Sequence, residues 1–176
     1  MASIDDFKAQ LAGGGARPNQ FRVTIVPPIG IVTGLNVANS SFLCKASKLP
    51  GQTLGEIEVP FRGRKIYVAG DREFETWNST FLNDTDFNVR NAIERWMNGI
   101  NDLADNTGTI ASSDYQSDLT VEQLDRDGTT IKSYIFRNAY PLTLADIELA
   151  YESTNTIEEF EVTWRYQHFE ASGVNF

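Results

Sequence analysis

One histidine and one cysteine stand in a chain of 176 residues, and no apolar run approaches the ~20 residues that a membrane-spanning helix needs. Each scarcity excludes something. With Cys44 as the only thiol, no internal disulfide can form, which fits a reducing compartment. His168 has no His or Cys at ligand spacing around it, so nothing signals a metal centre or a nucleophilic pair. Both residues sit in alternating apolar patterns, and packing is the ordinary role of each. Cations are short as well: 15 Lys and Arg face 24 Asp and Glu, a net charge of −9. So acidic a chain is a poor candidate for wrapping DNA or an anionic membrane, because phosphate contacts need a positive surface. Gly13-Gly14-Gly15 lacks the preceding strand and following Lys-Ser/Thr of a phosphate loop. The start, MASIDDFKAQL, is acidic and lacks the basic opening of a secretory leader, so the expectation is a soluble protein made in a cytoplasm.

What is present is a core-former: hydrophobic residues make up 41% of the chain, enough for one packed domain. Ile4, Phe7 and Leu11 fall at helical spacing within residues 1–12, and the three glycines then release a flexible arm, 1–15, ahead of a single domain, 16–176. Phe21–Val26 alternates as a half-buried strand, stopped by Pro27-Pro28. After a Gly- and Asn-punctuated stretch, 29–40, Phe42, Cys44 and Ala46 continue the alternation. LPGQTLGE, 49–56, reads as a loop. Ile57, Val59 and Phe61 then alternate with Glu56, Glu58 and Pro60, and Pro60 points to an edge strand or a segment outside the main sheet. Ile66 and Val68 alternate with Lys65 and Tyr67, and a further run from Arg72 to Leu82 carries Phe74, Trp77 and Phe81. Gly70-Asp71 between them suits a two-residue hairpin turn.

Val89, Ile93, Trp96, Met97 and Ile100 mark one convincing helix, about 86–99, with Asp84 or Asp86 as its cap. Residues 101–118 have loop chemistry. Leu119–Leu124, Thr130–Tyr140 (ended by Pro141), Ala145–Tyr151 and Ile157–Phe169 are expected strands. Seven to nine strands and one helix predict a mainly β protein: two packed antiparallel sheets in a barrel-like sandwich, with extended loops.

Charge is placed with the same period. Glu56-Ile57-Glu58-Val59, Asp146-Ile147-Glu148-Leu149 and Glu158-Glu159-Phe160-Glu161-Val162 each set acids against apolar residues on opposite strand faces. Such a surface is either a solvated face or an electronegative wall that repels an anion. Arg62-Gly63-Arg64-Lys65 is a basic cluster on an acidic chain, either a solvated turn or a dock for an acidic surface such as another copy.

Ala16-Arg17-Pro18-Asn19 before Phe21-Arg22-Val23, Cys44-Lys45-Ala46 before Leu49-Pro50, and Arg64-Lys65-Ile66 before Val68-Ala69-Gly70-Asp71-Arg72 form an ordered series. Trp77, Asn83-Asp84, Ala139-Tyr140-Pro141, Ile147-Glu148-Leu149 and Asn155-Thr156-Ile157 with Phe160-Glu161-Val162-Thr163 continue it. In order and spacing this series, from about residue 16 to 166, resembles the tail tube proteins of contractile-tailed bacteriophages. Residues 27–40 and 104–118 are longer than the pattern. The resemblance implies a virion structural protein with no enzymatic activity and no cofactor, assembled in the host cytoplasm. Its subunits would form hexameric rings that stack into a hollow tube inside a contractile sheath, a conduit for genome ejection. Implied partners are further copies, the sheath, baseplate and tail terminator proteins, and the tape measure protein and DNA in the lumen. With such a tube, the Glu/apolar alternation makes Glu148, Glu159 and Glu161 candidate lumen-facing acids on an inner wall that repels DNA phosphates. The resemblance implies an inter-ring segment from Leu49 to Arg62 that includes Pro50, Gly51, Gln52, Thr53, Leu54, Gly55, Glu56 and Pro60. Arg64, Lys65, Asp71 and Arg72 become candidates for charge pairing between subunits. The tube of a phage-derived contractile injection system would share this pattern. The aromatic-rich strands alone also fit a ligand-binding β-sandwich module.

Overall fold

The computed structural model describes residues 3–176; Met1 and Ala2, within the expected N-terminal helix and arm, lie outside the described residues. In chain order the elements are helix α1 (Ile4–Gln10), strand β1 (Phe21–Ile25), helix α2 (Val37–Leu43) and strands β2 (Cys44–Ser47), β3 (Thr53–Phe61), β4 (Arg64–Glu73) and β5 (Trp77–Leu82). Helix α3 (Asn88–Ile100), the one-turn helix α4 (Ser112–Tyr115) and strands β6 (Ser117–Leu124), β7 (Thr130–Leu144), β8 (Glu159–Arg165) and β9 (His168–Ala171) follow. The mainly β architecture is as expected. Seven strands form one antiparallel sheet in the order β1-β6-β7-β8-β5-β2, with β9 also on β7, and β3 with β4 stands apart as a two-stranded hairpin.

The long strand β7 organises the sheet. Its first part pairs with β6 and β9, and its last part pairs with β8. Between the two, Asn138 takes a left-handed φ of 54° and the register against β6 shifts. Asparagine tolerates that conformation, and the Asn138 N–H donates to Asp118 Oδ1 at 3.1 Å. A bulge of this kind bends and twists a strand. The bent sheet faces itself, so Trp77 of β5 stacks on Phe136 of β7 with ring centroids 4.6 Å apart. The layering is sandwich-like and does not close into a barrel.

Strict alternation fills this core. On β8, Phe160, Val162 and Trp164 are buried while Glu159, Glu161 and Arg165 are exposed. The Trp164 Nε1–H donates to Ser79 Oγ at 2.8 Å, so the buried indole keeps a partner. Helix α3 covers one side with Val89, Ala92, Ile93 and Trp96. Its N-cap, Phe87, is left-handed and offers no side-chain cap. Asp84 does that work from three residues upstream, accepting from the Asn88 N–H at 2.9 Å and from Asn88 Nδ2 at 2.8 Å.

Several expected boundaries move. Residues 37–43 form a helix, capped by Asn36, which accepts from the Ala38 and Asn39 N–H groups, so Phe42 is helical and exposed rather than part of a strand. LPGQTLGE is a loop only to Gln52; β3 begins at Thr53. Gly70-Asp71 is not a turn: β4 runs straight through it. Register shifts there because two residues, Gly70 and Asp71, lie against the single Gly55 between Leu54↔Arg72 and Glu56↔Ala69. A Cβ at Gly70 would approach the Gly55 carbonyl to 3.1 Å, so the glycines serve a close crossing of two backbones. The run from Arg72 to Leu82 splits between the hairpin and the main sheet. Pro141 does not end β7, which bulges past it to Leu144. Ala145–Tyr151 is irregular, although its entry is held by Ala145 N–H to the Glu161 carbonyl at 2.9 Å. The final run is two strands, broken at Tyr166-Gln167: β8 lies between β5 and the last part of β7, and β9 pairs with an earlier part of β7.

Candidate functional site

A catalytic centre finds little support in the geometry. Among the described residues no three His, Cys, Asp or Glu side chains converge as a metal site. His168 is half exposed, with its Nε2 4.0 Å from Glu170. Cys44 is buried, and that burial pushes its thiol up to about 12. Among the described residues no helix is long and apolar enough to cross a membrane.

The conspicuous surface is the β3–β4 hairpin. The turn is Arg62-Gly63, with φ of 46° and 82°. Two left-handed central residues define the turn that matches strand twist, so Gly63 is needed there. Pairing then fixes two faces. Ile57 lies opposite Val68, Val59 opposite Ile66, and Phe61 opposite Arg64. These residues share one face, because opposed residues in an antiparallel pair point the same way. Glu58, Tyr67, Pro60 and Lys65 share the other. The apolar face is uncovered: exposures run from 44% at Val59 to 58% at Phe61. A lone two-stranded hairpin is marginal in water, and this one pairs with no strand of the main sheet. Only its base is anchored. The Lys48 carbonyl accepts from Trp77 Nε1 at 2.6 Å, and Phe74 packs edge-on against Phe169 at 5.8 Å and Tyr166 at 6.1 Å.

The sequence-derived segment Leu49–Arg62 is thus the entry and first strand of this hairpin. The alternation of Ile66 and Val68 marks the second strand, but a turn at Gly70-Asp71 would pair it with the run after Arg72; it pairs with β3, turning eight residues earlier at Arg62-Gly63. Of the four candidate charges, Lys65 pairs with Glu58 within the hairpin and Arg72 donates to Gln52 Oε1. Arg64 and Asp71 are exposed.

The three candidate acids sit on two elements, and Glu159 reaches the concavity that Glu148 lines. Glu159 and Glu161 share the outward face of β8, where Glu159 pairs with Lys45 and Glu161 accepts from Asn78 Nδ2 at 3.0 Å. Glu148 is drawn off that strand face by the irregular loop. It lines a concavity of about 660 Å³ formed by residues 146–151, 153 and 156–159. Leu149, Tyr151 and Ile157 in that loop are exposed.

A sheet bent around one long strand, a flanking helix and a detached hairpin is a known arrangement. The chain shares its fold with a chain of the anti-feeding prophage baseplate (TM-score 0.61, 13% identity, 92% of this chain and 98% of that one). It also matches one in the extended sheath–tube complex of an extracellular contractile injection system (TM-score 0.58, 17% identity, 94% and 97%). At such identities the likeness concerns the fold alone.

Sequence carries the assignment further. A family model described as phage tail tube protein matches residues 16–172, and the chain belongs to that family. It is 32% identical to tail tube protein gp19 of Enterobacteria phage T4, over 95% of this chain and 99% of the relative. It is 29% identical to the tail tube protein of Serratia phage KSP90, over 94% and 95%.

Proposed function

We propose that this chain is the inner tube subunit of a contractile phage tail, forming hexameric rings that stack into a hollow conduit for the genome. Family membership supports the tube role, and the uncovered apolar face of the β3–β4 hairpin carries the assembly reading. A monomer leaves that face in water, whereas a neighbouring subunit removes it. The segment from Leu49 to Arg62 then bridges to the adjacent ring together with β4, and Arg64, Lys65, Asp71 and Arg72 lie where subunits meet. Residues 1–15 act as an arm that orders on assembly: α1 buries no side chain, and Gly13, Gly14 and Gly15 all have positive φ. Residues 16–176 form the tube domain. The role is structural, in the virion after assembly in the host cytoplasm. The tail sheath surrounds the tube, baseplate and terminator proteins meet its ends, and the tape measure protein and DNA occupy the lumen.

Outward-facing Glu159 and Glu161 line the channel in this reading, so that passing phosphates meet no adhesive positive wall. Glutamine at both positions is expected to slow DNA ejection from otherwise normal tubes; unchanged ejection removes the lumen assignment. The primary test is electron microscopy of the concentrated purified chain. Rings or hollow tubes support the reading, and a monodisperse monomer at every concentration overturns it.

A further inference from the structure

We propose that the hairpin tip of one subunit seats in the concavity beneath loop 145–158 of a second copy, as knob and socket of a head-to-tail contact. This rests on the tube reading and names the surface that receives the hairpin.

The knob is convex, apolar and basic. Phe61, Arg62, Gly63 and Arg64 form the tip, with the Arg62 guanidinium 5.4 Å from the Phe61 ring centroid. Arg62 and Arg64 are exposed, and neither is in an ion pair among the described residues. On a chain with a net charge of −9, Arg62, Arg64 and Lys65 cluster at the tip, while the hairpin's acids, Glu56, Glu58, Asp71 and Glu73, lie toward its base.

The socket is concave, apolar and acidic. Ile147, Leu149, Tyr151 and Ile157 line it together with Asp146 and Glu148. Leu149 is 78% exposed and Tyr151 entirely so. Glu159 and Glu158 at its edge are already engaged, by Lys45 and by Asn83 Nδ2. Asp146 and Glu148 are exposed and make no ion pair among the described residues. They are the carboxylates left for an incoming guanidinium, and arginine's fork suits a carboxylate.

Self-pairing of two hairpin faces is the competing occupant. It would set Arg64 near its own copy on the apolar face and leave the acidic socket empty. A knob and a socket on different parts of one subunit instead generate a heterologous contact, which closes into a ring or, where the rotation does not close, repeats open-ended. Stacked rings require that geometry.

Charge reversal tests the pairing. R62E/R64E and D146K/E148K are each expected to stay folded, with unchanged circular dichroism and melting temperature. Each is expected to raise the critical concentration for tube formation by roughly tenfold or more, about 1.4 kcal/mol per contact. The chain carrying all four substitutions is expected to recover tubes, because the reversed knob meets a reversed socket. Wild-type tubes with both two-site variants assembling normally overturn the proposal and leave the tube reading intact. So does a folded four-site chain that fails to recover. Absence of tubes from the wild type overturns the tube reading itself.

Discussion

Serine at Val59 and Ile66 removes the centre of the hairpin's apolar face without touching the core. The two residues lie directly opposite each other, and their exposures are 44% and 52%. About half of each side chain is therefore still available for burial by a neighbour. Full burial of such a side chain is worth about 1.5–3 kcal/mol, so each contributes roughly 1 kcal/mol on assembly. Losing both costs about 2 kcal/mol per contact, roughly a thirtyfold rise in critical concentration. The assay is sedimentation of tubes across a protein dilution series, with negative-stain images of the pellets. Thermal melting of the dilute monomer controls for folding and is expected to move little, since neither position belongs to the buried core. An unchanged critical concentration for V59S/I66S, with tubes still forming, would refute the claim that this face is covered on assembly.

Ser79→Ala strands the buried Trp164 indole N–H. The expected cost is about 2 kcal/mol, or roughly 6 °C in melting temperature; calorimetry showing no change would mean that the hydrogen bond is not needed. Cys44 is expected to resist a disulfide reagent at pH 8. With its thiol pushed up from 9.0 to about 12, the thiolate fraction falls about a thousandfold, while the denatured chain reacts freely. Fast labelling of the folded protein would contradict its burial. Arg137 donates to Asp118 at 2.5 Å and to Glu170 at 2.7 Å, and Arg137 holds the Glu170 carboxyl below its ordinary 4.5. A lowered folded value means that stability is fully present above about pH 4.5 and drains as pH falls through the lower folded value. E170Q is therefore expected to flatten the acid limb of the melting curve, and an identical acid limb would argue against the pairing.

Periodicity made much of this legible. The alternation of Phe160, Val162 and Trp164 with Glu159, Glu161 and Arg165 identified a strand and both its faces. The spacing of Val89, Ile93 and Trp96 identified the one long helix. Pro60 pointed to an edge strand or a segment outside the main sheet, and the pairing of β3 with β4 alone decides for the second. Turn chemistry misled where two signals competed. Gly70-Asp71 looked like a hairpin turn, yet those glycine-rich positions accommodate the bulge opposite Gly55, and the chain reverses at Arg62-Gly63. Arginine with a positive φ is uncommon, so propensity gave the true turn little weight. Helix α2, in VANSSFL, was hidden because its residues are weak helix formers and its stabilising element is a cap, Asn36.

By itself the sequence determined what local period and composition can encode: a β-rich acidic chain, its buried faces and its family. Tertiary structure decided which strands share an edge, because pairing joins residues far apart in the chain. It bent β7 at Asn138 so that one sheet faces itself. It put Glu148 in an irregular loop rather than on a strand face, since a loop has no obligatory alternation. It also left the hairpin's apolar face without a cover inside the subunit. That last fact is a property of the packed whole, because only the arrangement of every other element shows that nothing in the described chain reaches it.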